Sequence, residues 1–354
     1  MKETGVVAQV RASNIMIVDR AEPPHHPSKP RRRLDLLVSV IIGLAGGLGL
    51  PFLLESLDNT LSNPEKVERY LHLPNLTLIP DFTKVNRLGY VRTVPTMLSN
   101  ELSKKPREIT ARDDTQHNDL VVGEGRLSMT AEGYRTLRSA ILLSRAGEPP
   151  RATLVTSSIN SEGKTVTTVN LAASLAQMDL RVLIIDADLR RPRCHRIFKM
   201  KNDIGLTEVL TGMSDPDSVI VETATPQLAF LKAGSHPPNP SELLGSQKMR
   251  ETLNYLRSKY EFVVIDSPPI MLVSDALSLS TIVDGTLVVV NSAKTAKNFV
   301  RMTCSRLDFV GAKILGVALN MVDIAGPEYY YKDYYYSYRN HSYYTNEAET
   351  RDQA

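Results

Sequence analysis

The chain has 354 residues, of which 42% are apolar and 23% charged, and a formal net charge of +3. That composition belongs to a globular chain with room for one domain of about 200 residues plus accessory segments. The scattered positive charge excludes a nucleic-acid footprint. Two distant cysteines, Cys194 and Cys304, exclude a disulfide framework and fit a reducing compartment.

Residues 1–33 hold a short β-type piece, Asn14 to Val18, then a proline-rich basic stretch from Pro23 to Arg33, and read as the end of something larger. Residues 34–54 are apolar apart from Asp35 and Ser39. As a helix, that run is long enough for the ~30 Å hydrocarbon core of a bilayer. Gly43 and Gly47 form a small-xxx-small pair suited to close helix contact. The expectation is one transmembrane helix. Lys29 and Arg31 to Arg33 precede it, which on charge alone places the N-terminus in the cytoplasm. The nucleotide chemistry read below needs the C-terminal part there instead, and it outweighs one short segment. Residues 55–126 read as a juxtamembrane segment and linker. They contain a short helical piece, a Pro-bounded strand from Leu76 to Pro80, and a polar stretch without periodicity from Asn86 to Gly125.

Residues 127–326 alternate strand and helix patterns, which predicts a doubly wound, mostly parallel α/β sheet of the P-loop NTPase type. Near its start Glu132, Arg135 and Arg138 recur every three residues and form one charged stripe on a helix, with an i,i+3 ion pair. By spacing alone this is a solvated face. The β-type run Ala152 to Thr156 and the helix-type run Val166 to Gln177 flank Ser158-Ile159-Asn160-Ser161-Glu162-Gly163-Lys164-Thr165. A small-residue loop between a strand and a helix, ending Gly-Lys-Thr, is a phosphate cradle, although Ser158 stands where the motif starts with glycine. Backbone N–H groups and the helix N-terminus face the anion, Lys164 reaches the terminal phosphates, and the Thr165 hydroxyl can ligate Mg²⁺. The expected nucleotide contacts are Ser158, Asn160, Ser161, Glu162, Gly163, Lys164, Thr165 and Val166.

Two further buried-strand runs end in carboxylates: Val182 to Asp188, with Asp186 and Asp188, and Phe262 to Pro269, with Asp266. Residues two apart on a strand face the same side, so Asp186 and Asp188 can converge on one point. Strand ends are where open α/β sheets bind ligands. Further strands are expected at Leu228 to Leu231, Gly285 to Val290 and Lys313 to Leu319. The order loop, Asp-x-Asp, Asp points to a nucleotide with Mg²⁺.

Residues 327–354 are expected to be a flexible tail. Nine of the chain's 14 tyrosines lie there: Tyr329, Tyr330, Tyr331, Tyr334, Tyr335, Tyr336, Tyr338, Tyr343 and Tyr344. An aromatic RNA platform needs interleaved basic residues, and only Lys332 and Arg339 lie among the tyrosines. A phenol cluster joined to a nucleotide site reads as a set of phosphate acceptors. A tyrosine hydroxyl, with pKa ~10, is a poor nucleophile at neutral pH. Transfer therefore needs a base and cations. Asp186 is the expected base; Lys164 and Mg²⁺, held by Thr165, Asp188 and Asp266, offset the phosphate charge.

These residues resemble the bacterial tyrosine autokinases of exopolysaccharide and capsule synthesis, whose P-loop kinase domain is fused to, or paired with, a chain-length-determinant membrane protein. Residues 14–54 resemble the last strand, Pro-rich segment and second membrane helix of that module; 127–326 resemble the kinase, and 327–354 its tyrosine cluster. The family's three nucleotide motifs correspond to Ser157–Thr165, Leu183–Arg190 and Val263–Pro269. The run Gly234 to Leu244 also resembles the family. Where the family commonly has Pro-Gly, Asn160 and Ser161 stand.

The resemblance implies that Glu132, Arg135 and Arg138 make a subunit contact in a ring, with tails phosphorylated in trans, and that Asn320 sits near the adenine. It implies ATP and Mg²⁺, and a single-pass protein of the bacterial inner membrane with a cytoplasmic kinase domain. Implied partners are a tyrosine phosphatase and the polysaccharide polymerase and export machinery. The module's first membrane helix and most of its extracytoplasmic domain have no counterpart here. Either the sequence is part of a longer chain, or a separate chain-length-determinant subunit supplies them. A second reading is a membrane-associated nucleotide-switch ATPase of the partition or positioning type. Such proteins carry a second lysine where Ile159 stands, and the tyrosine tail also argues against it. A third, a membrane adaptor that only holds nucleotide, is opposed by retention of Lys164, Thr165, Asp186, Asp188 and Asp266.

Overall fold

A computed structural model describes residues 32–57, 59–61, 63–81, 120–122, 129–145 and 147–323. The strand expected at Asn14 to Val18, most of the polar stretch from Asn86 and the tyrosine tail lie outside the described residues. Two compact units divide the chain, Met1–Asp58 and Asn59–Ala354.

The first unit is represented by helix α1, Arg32–Leu57. Every described side chain on it, from Leu34 to Leu50, is exposed. Leu36, Leu37, Ile41, Ile42 and Leu48 are among them, so the helix is apolar all round. Ser39 donates to the carbonyl of Asp35 at 2.8 Å, which satisfies its hydroxyl within the helix. Among the described residues no helix is long and apolar enough to cross a membrane. The helix expected over 34–54 forms as part of α1.

In the second unit, α2 (Pro64–Leu71) starts where the Asn63 side chain accepts from Glu65 N, with Pro64 in the first turn. Then follow β1 (Asn75–Pro80), α3 (Met129–Leu142), β2 (Ala152–Ser157), α4 (Lys164–Ala176), β3 (Val182–Asp186) and the short helices α5 (Cys194–Ile197), α6 (Leu206–Leu210) and α7 (Pro216–Val219). The chain continues through β4 (Ile220–Glu222), β5 (Leu228–Leu231), α8 (Pro240–Leu244), α9 (Gln247–Lys259) and β6 (Phe262–Asp266). It closes with α10 (Asp275–Ser280), β7 (Gly285–Asn291), α11 (Lys297–Phe309) and β8 (Ile314–Val322). The strands form one sheet in the order β1-β8-β7-β2-β6-β3-β5-β4. All neighbours are parallel except β4 and β5.

Successive strand residues go to opposite faces. Val155, Ile184 and Val264 pack with Tyr134 and Leu137 of α3 and Val169 of α4. Leu154, Leu183, Ile185 and Ile265 pack with Met249, Leu253 and Leu256 of α9. Farther along the sheet Val288, Val290 and Leu319 pack with Val300 and Leu307 of α11. Both faces are covered, which is why these strands read as unbroken apolar runs rather than as alternation.

The segment 55–126, set apart by sequence as a juxtamembrane piece and linker, takes part in this sheet. Its strand β1 pairs with β8, and Thr77 Oγ1 donates to the carbonyl of Gly133 at 2.8 Å. Farther on, the N–H groups of Val121 and Val122 donate to Asn170 Oδ1 on α4. The physical reason is edge satisfaction: without β1, β8 would present an unpaired edge. The close approach of α3 to β1 depends on Gly133, where a Cβ would lie 2.9 Å from the carbonyl oxygen of Leu78. Gly133→Val should therefore lower stability by about 1–3 kcal/mol through overpacking. Urea unfolding checks this, and an unchanged midpoint would mean that β1 is not held by α3.

Candidate active site

Strands β2, β6 and β3 are neighbours, so their C-terminal ends bring Ser157, Asp266 and Asp186 together. Asp186 and Asp266 are register partners, and both are fully buried. Asp188, just past the end of β3, is 4% exposed.

Lys164, the first residue of α4, donates from Nζ to Asp188 Oδ2 at 3.0 Å and lies 3.7 Å from Asp266 Oδ2. Thr165 Oγ1 donates to Asp266 Oδ2 at 2.7 Å and Thr168 Oγ1 to Asp266 Oδ1 at 3.2 Å. Asp186 accepts from the N–H of Asp188 on one oxygen and from those of Arg193 and Cys194 on the other, at 3.1–3.3 Å. Cys194 Sγ lies 3.7 Å from Asp266 Oδ2.

Burial raises the Asp186 carboxyl to about 8, with the Asp266 charge adding to the shift and Lys164 opposing it. Burial also raises Asp266 against the pull of Lys164. For Lys164 itself burial alone would lower the pKa, but the charges of Asp266 and Asp188 outweigh it and hold the ammonium above its ordinary range. The site is thus three enclosed carboxylates sharing one cation. Thr165, Asp188 and Asp266 offer the hard oxygen donors that Mg²⁺ prefers, and the position of the Lys164 ammonium shows that positive charge is accommodated there. Asp186, like Asp266, is fully enclosed. It adjoins Asp188 and Asp266, but both of its oxygens are engaged by backbone N–H groups of the segment after β3.

The loop between β2 and α4 contains two left-handed residues, Ser161 at φ 65° and Gly163 at φ 90°. Left-handed residues interleaved with ordinary ones turn successive N–H groups into an anion-binding concavity. Glycine is favoured at 163 by this left-handed φ, and a Cβ there would also displace the Asn320 amide, whose Nδ2 it would meet at 1.9 Å. Ser161 holds its left-handed geometry at a cost of about 1–2 kcal/mol that glycine avoids. Asn160 and Ser161 are exposed, and Val166 is half-buried. Ser158 is buried, and its hydroxyl has no hydrogen-bond partner among the described residues.

Two expected nucleotide contacts are engaged within the protein. The Glu162 carboxyl accepts from Ile159 N at 2.6 Å on one oxygen, and from Thr295 Oγ1 at 2.5 Å and Asn291 N at 3.5 Å on the other. Burial raises its pKa while these bonds pull it down. Asn320 Nδ2 donates to the carbonyl of Glu162 at 2.9 Å and so fastens the loop, while its Oδ1 has no hydrogen-bond partner among the described residues. Arg190 likewise turns from the carboxylates. It forms a bidentate pair with Asp275 and reaches Ser241, while His236 Nδ1 bonds the carbonyl of Leu189 at 2.9 Å. These contacts bring the run Gly234 to Leu244 beside the turn after β3. On α3, Arg135 pairs with Glu132 at 2.9 Å, and Arg138 donates to the carbonyl of Ser174 at 2.7 Å. The nine tail tyrosines lie outside the described residues.

Sequence reasoning missed Thr168, Cys194, Asn291 and Thr295. Only Thr168 carried a signal, being three residues after Thr165 on one helix. The others are neutral residues brought in by topology.

An AAA domain family model matches residues 160–314, and a G-rich domain model, GNVR, matches residues 1–56. The tyrosine-protein kinase YwqD of Bacillus subtilis is 36% identical over 205 residues, covering 58% of this chain and 86% of that one. The tyrosine-protein kinase ptk of Acinetobacter johnsonii is 30% identical over 316 residues, 89% of this chain. This chain spans only 40% of the length of that relative. Among solved structures, the kinase domain of Escherichia coli tyrosine kinase ETK matches with a TM-score of 0.63 and 29% identity, covering 76% of this chain and 97% of that one.

The shared lysine generates a pH-dependent prediction. The folded pKa of Asp186 is raised, so stability falls as pH rises from its unfolded value near 4 through the folded value of about 8. Removing Lys164 raises that folded value further. Lys164→Met should therefore lower the stability of the nucleotide-free protein by about 3–5 kcal/mol near pH 8 and by clearly less near pH 5. Urea titrations at the two pH values check this; an equal loss at both would show that the carboxylates do not depend on the lysine.

Proposed function

The chain belongs to the bacterial tyrosine-protein kinases, and on that premise we propose that it is an ATP- and Mg²⁺-dependent protein-tyrosine kinase that phosphorylates its own C-terminal tyrosine cluster in trans. The observation that carries this reading is the convergence of Lys164 and Thr165 with Asp186, Asp188 and Asp266 at three adjoining strand ends. The hard oxygen donors, the loop concavity and the N-terminus of α4 suit a metal-bound triphosphate. When bound, Mg–ATP supplies the transferable phosphoryl group and divalent charge that offsets the phosphates. Lys164, released from Asp188, binds the terminal phosphates. Thr165, Asp188 and Asp266 hold the metal. Asp186, with a carboxyl pKa near neutrality, takes the phenol's proton. The segment after β3, which covers Asp186, must yield for an acceptor to reach it.

In the assembly we envisage, a ring of identical chains presents one subunit's tail to its neighbour's site. The Glu132–Arg135 pair is about one-third exposed and suits such a contact, whereas Arg138 supports α4 from within the chain. Tail phosphorylation, at about −1.5 to −2 charges per tyrosine, loosens the ring and so regulates capsule or exopolysaccharide polymerisation and export. A tyrosine phosphatase resets the cycle. The apolar surface of α1 and the G-rich match over residues 1–56 support attachment to the inner membrane by this segment, with the kinase on the cytoplasmic side.

The test incubates the full chain with ATP and Mg²⁺ and probes for phosphotyrosine. Wild type should label, and Lys164→Met should lose the label. Ending the chain at Pro327 should remove most of it while ATP binding persists. Hydrolysis of ATP without any phosphotyrosine would favour the nucleotide-switch ATPase instead.

A further inference from the structure

The nucleotide loop is fastened from a place no motif marks. Strand β7 ends at Asn291 and turns tightly. The Asn291 carbonyl accepts from the N–H groups of Lys294 and Thr295, and its side-chain oxygen accepts from Ala293 N at 3.0 Å. The turn is pinned on both sides. Ser292 N donates to the carbonyl of Asn320 at 2.9 Å, Ala296 bridges Thr60, and Lys297 N donates to the carbonyl of Asn59 at 2.7 Å. The Thr295 side chain, fully buried, leaves this turn to donate to Glu162 Oε1 at 2.5 Å.

Glu162 is itself 1% exposed, and no cation pairs with it among the described residues. Its second oxygen accepts from Ile159 N at 2.6 Å. One carboxyl thus ties the start of the loop to a fixed turn on another strand. A buried carboxylate is held in one orientation by its donors, and on Oε1 Thr295 supplies the short side-chain donor at 2.5 Å beside the longer N–H contact of Asn291 at 3.5 Å. We infer that Thr295 is a positioning residue for nucleotide binding, acting through Glu162 to set the curvature of the loop from Ile159 to Gly163. This rests on the kinase reading only in taking that loop as the phosphate cradle.

The test measures ATP KM and kcat for the full chain, with tail phosphotyrosine as readout, and unfolding midpoints alongside. Thr295→Val keeps the shape and removes the hydroxyl. It should raise KM for ATP about tenfold while kcat changes much less, because the loop's ground-state grip is what weakens. Thr295→Ser restores the hydroxyl and should bring KM back to within about twofold of wild type. If Thr295 acts through Glu162, the double variant Thr295→Val with Glu162→Gln should be no worse than Glu162→Gln alone. An unchanged KM in Thr295→Val, a Thr295→Ser variant as impaired as Thr295→Val, or simple additivity in the double variant would each overturn the inference while leaving the kinase reading intact. Wild-type protein that fails to bind ATP would remove both.

Discussion

A single ammonium group, on Lys164, holds together three carboxylates that would otherwise repel one another inside the protein. An uncompensated buried charge costs several kcal/mol, and leaving one partner of such a group alone is strongly destabilising. The ends of β3 and β6 and the start of α4 are therefore tied to one electrostatic balance. That balance also makes the site responsive. The residue that balances these carboxylates is also the one a phosphate-binding loop presents at the first turn of its helix, so under the proposed function its move to phosphate calls for a substitute cation.

The fold supplies this arrangement through ordinary means. Parallel pairing places β2, β6 and β3 side by side with their C-termini at one edge. Helices on both faces remove water from the strands and enclose Asp186 and Asp266 completely. The loop is shaped from within by left-handed backbone at Ser161 and Gly163, and from outside by Glu162, Asn320 and the turn after β7. The phosphate loop is thus one side of a polar network whose other members come from β7 and β8.

Much of this was legible in the chain. Unbroken apolar runs ending in aspartate at Asp186 and Asp266, and the Gly163-Lys164-Thr165 ending, reported strand ends and a helix start, because those features are local in sequence. The place of Leu76 to Pro80 in the sheet was not legible. A strand's partner is set by topology, and β1 pairs with β8 more than 200 residues later. The same limit hid Thr295 and Asn291, whose roles come from a turn on another strand. Glu162 was expected among the nucleotide contacts and Asn320 near the adenine, but the hydrogen bonds their side chains make within the protein follow from burial: an enclosed amide or carboxyl takes the nearest partner. The apolar run 34–54 does form a helix.

The most direct measurement is equilibrium ATP binding by the purified chain with and without Mg²⁺. If Lys164 must leave Asp188 and Asp266 for the phosphates, the carboxylates need a replacement cation, and ATP affinity should rise by about tenfold or more when Mg²⁺ is present. ATP bound equally well without Mg²⁺, or not bound at all, would contradict the account.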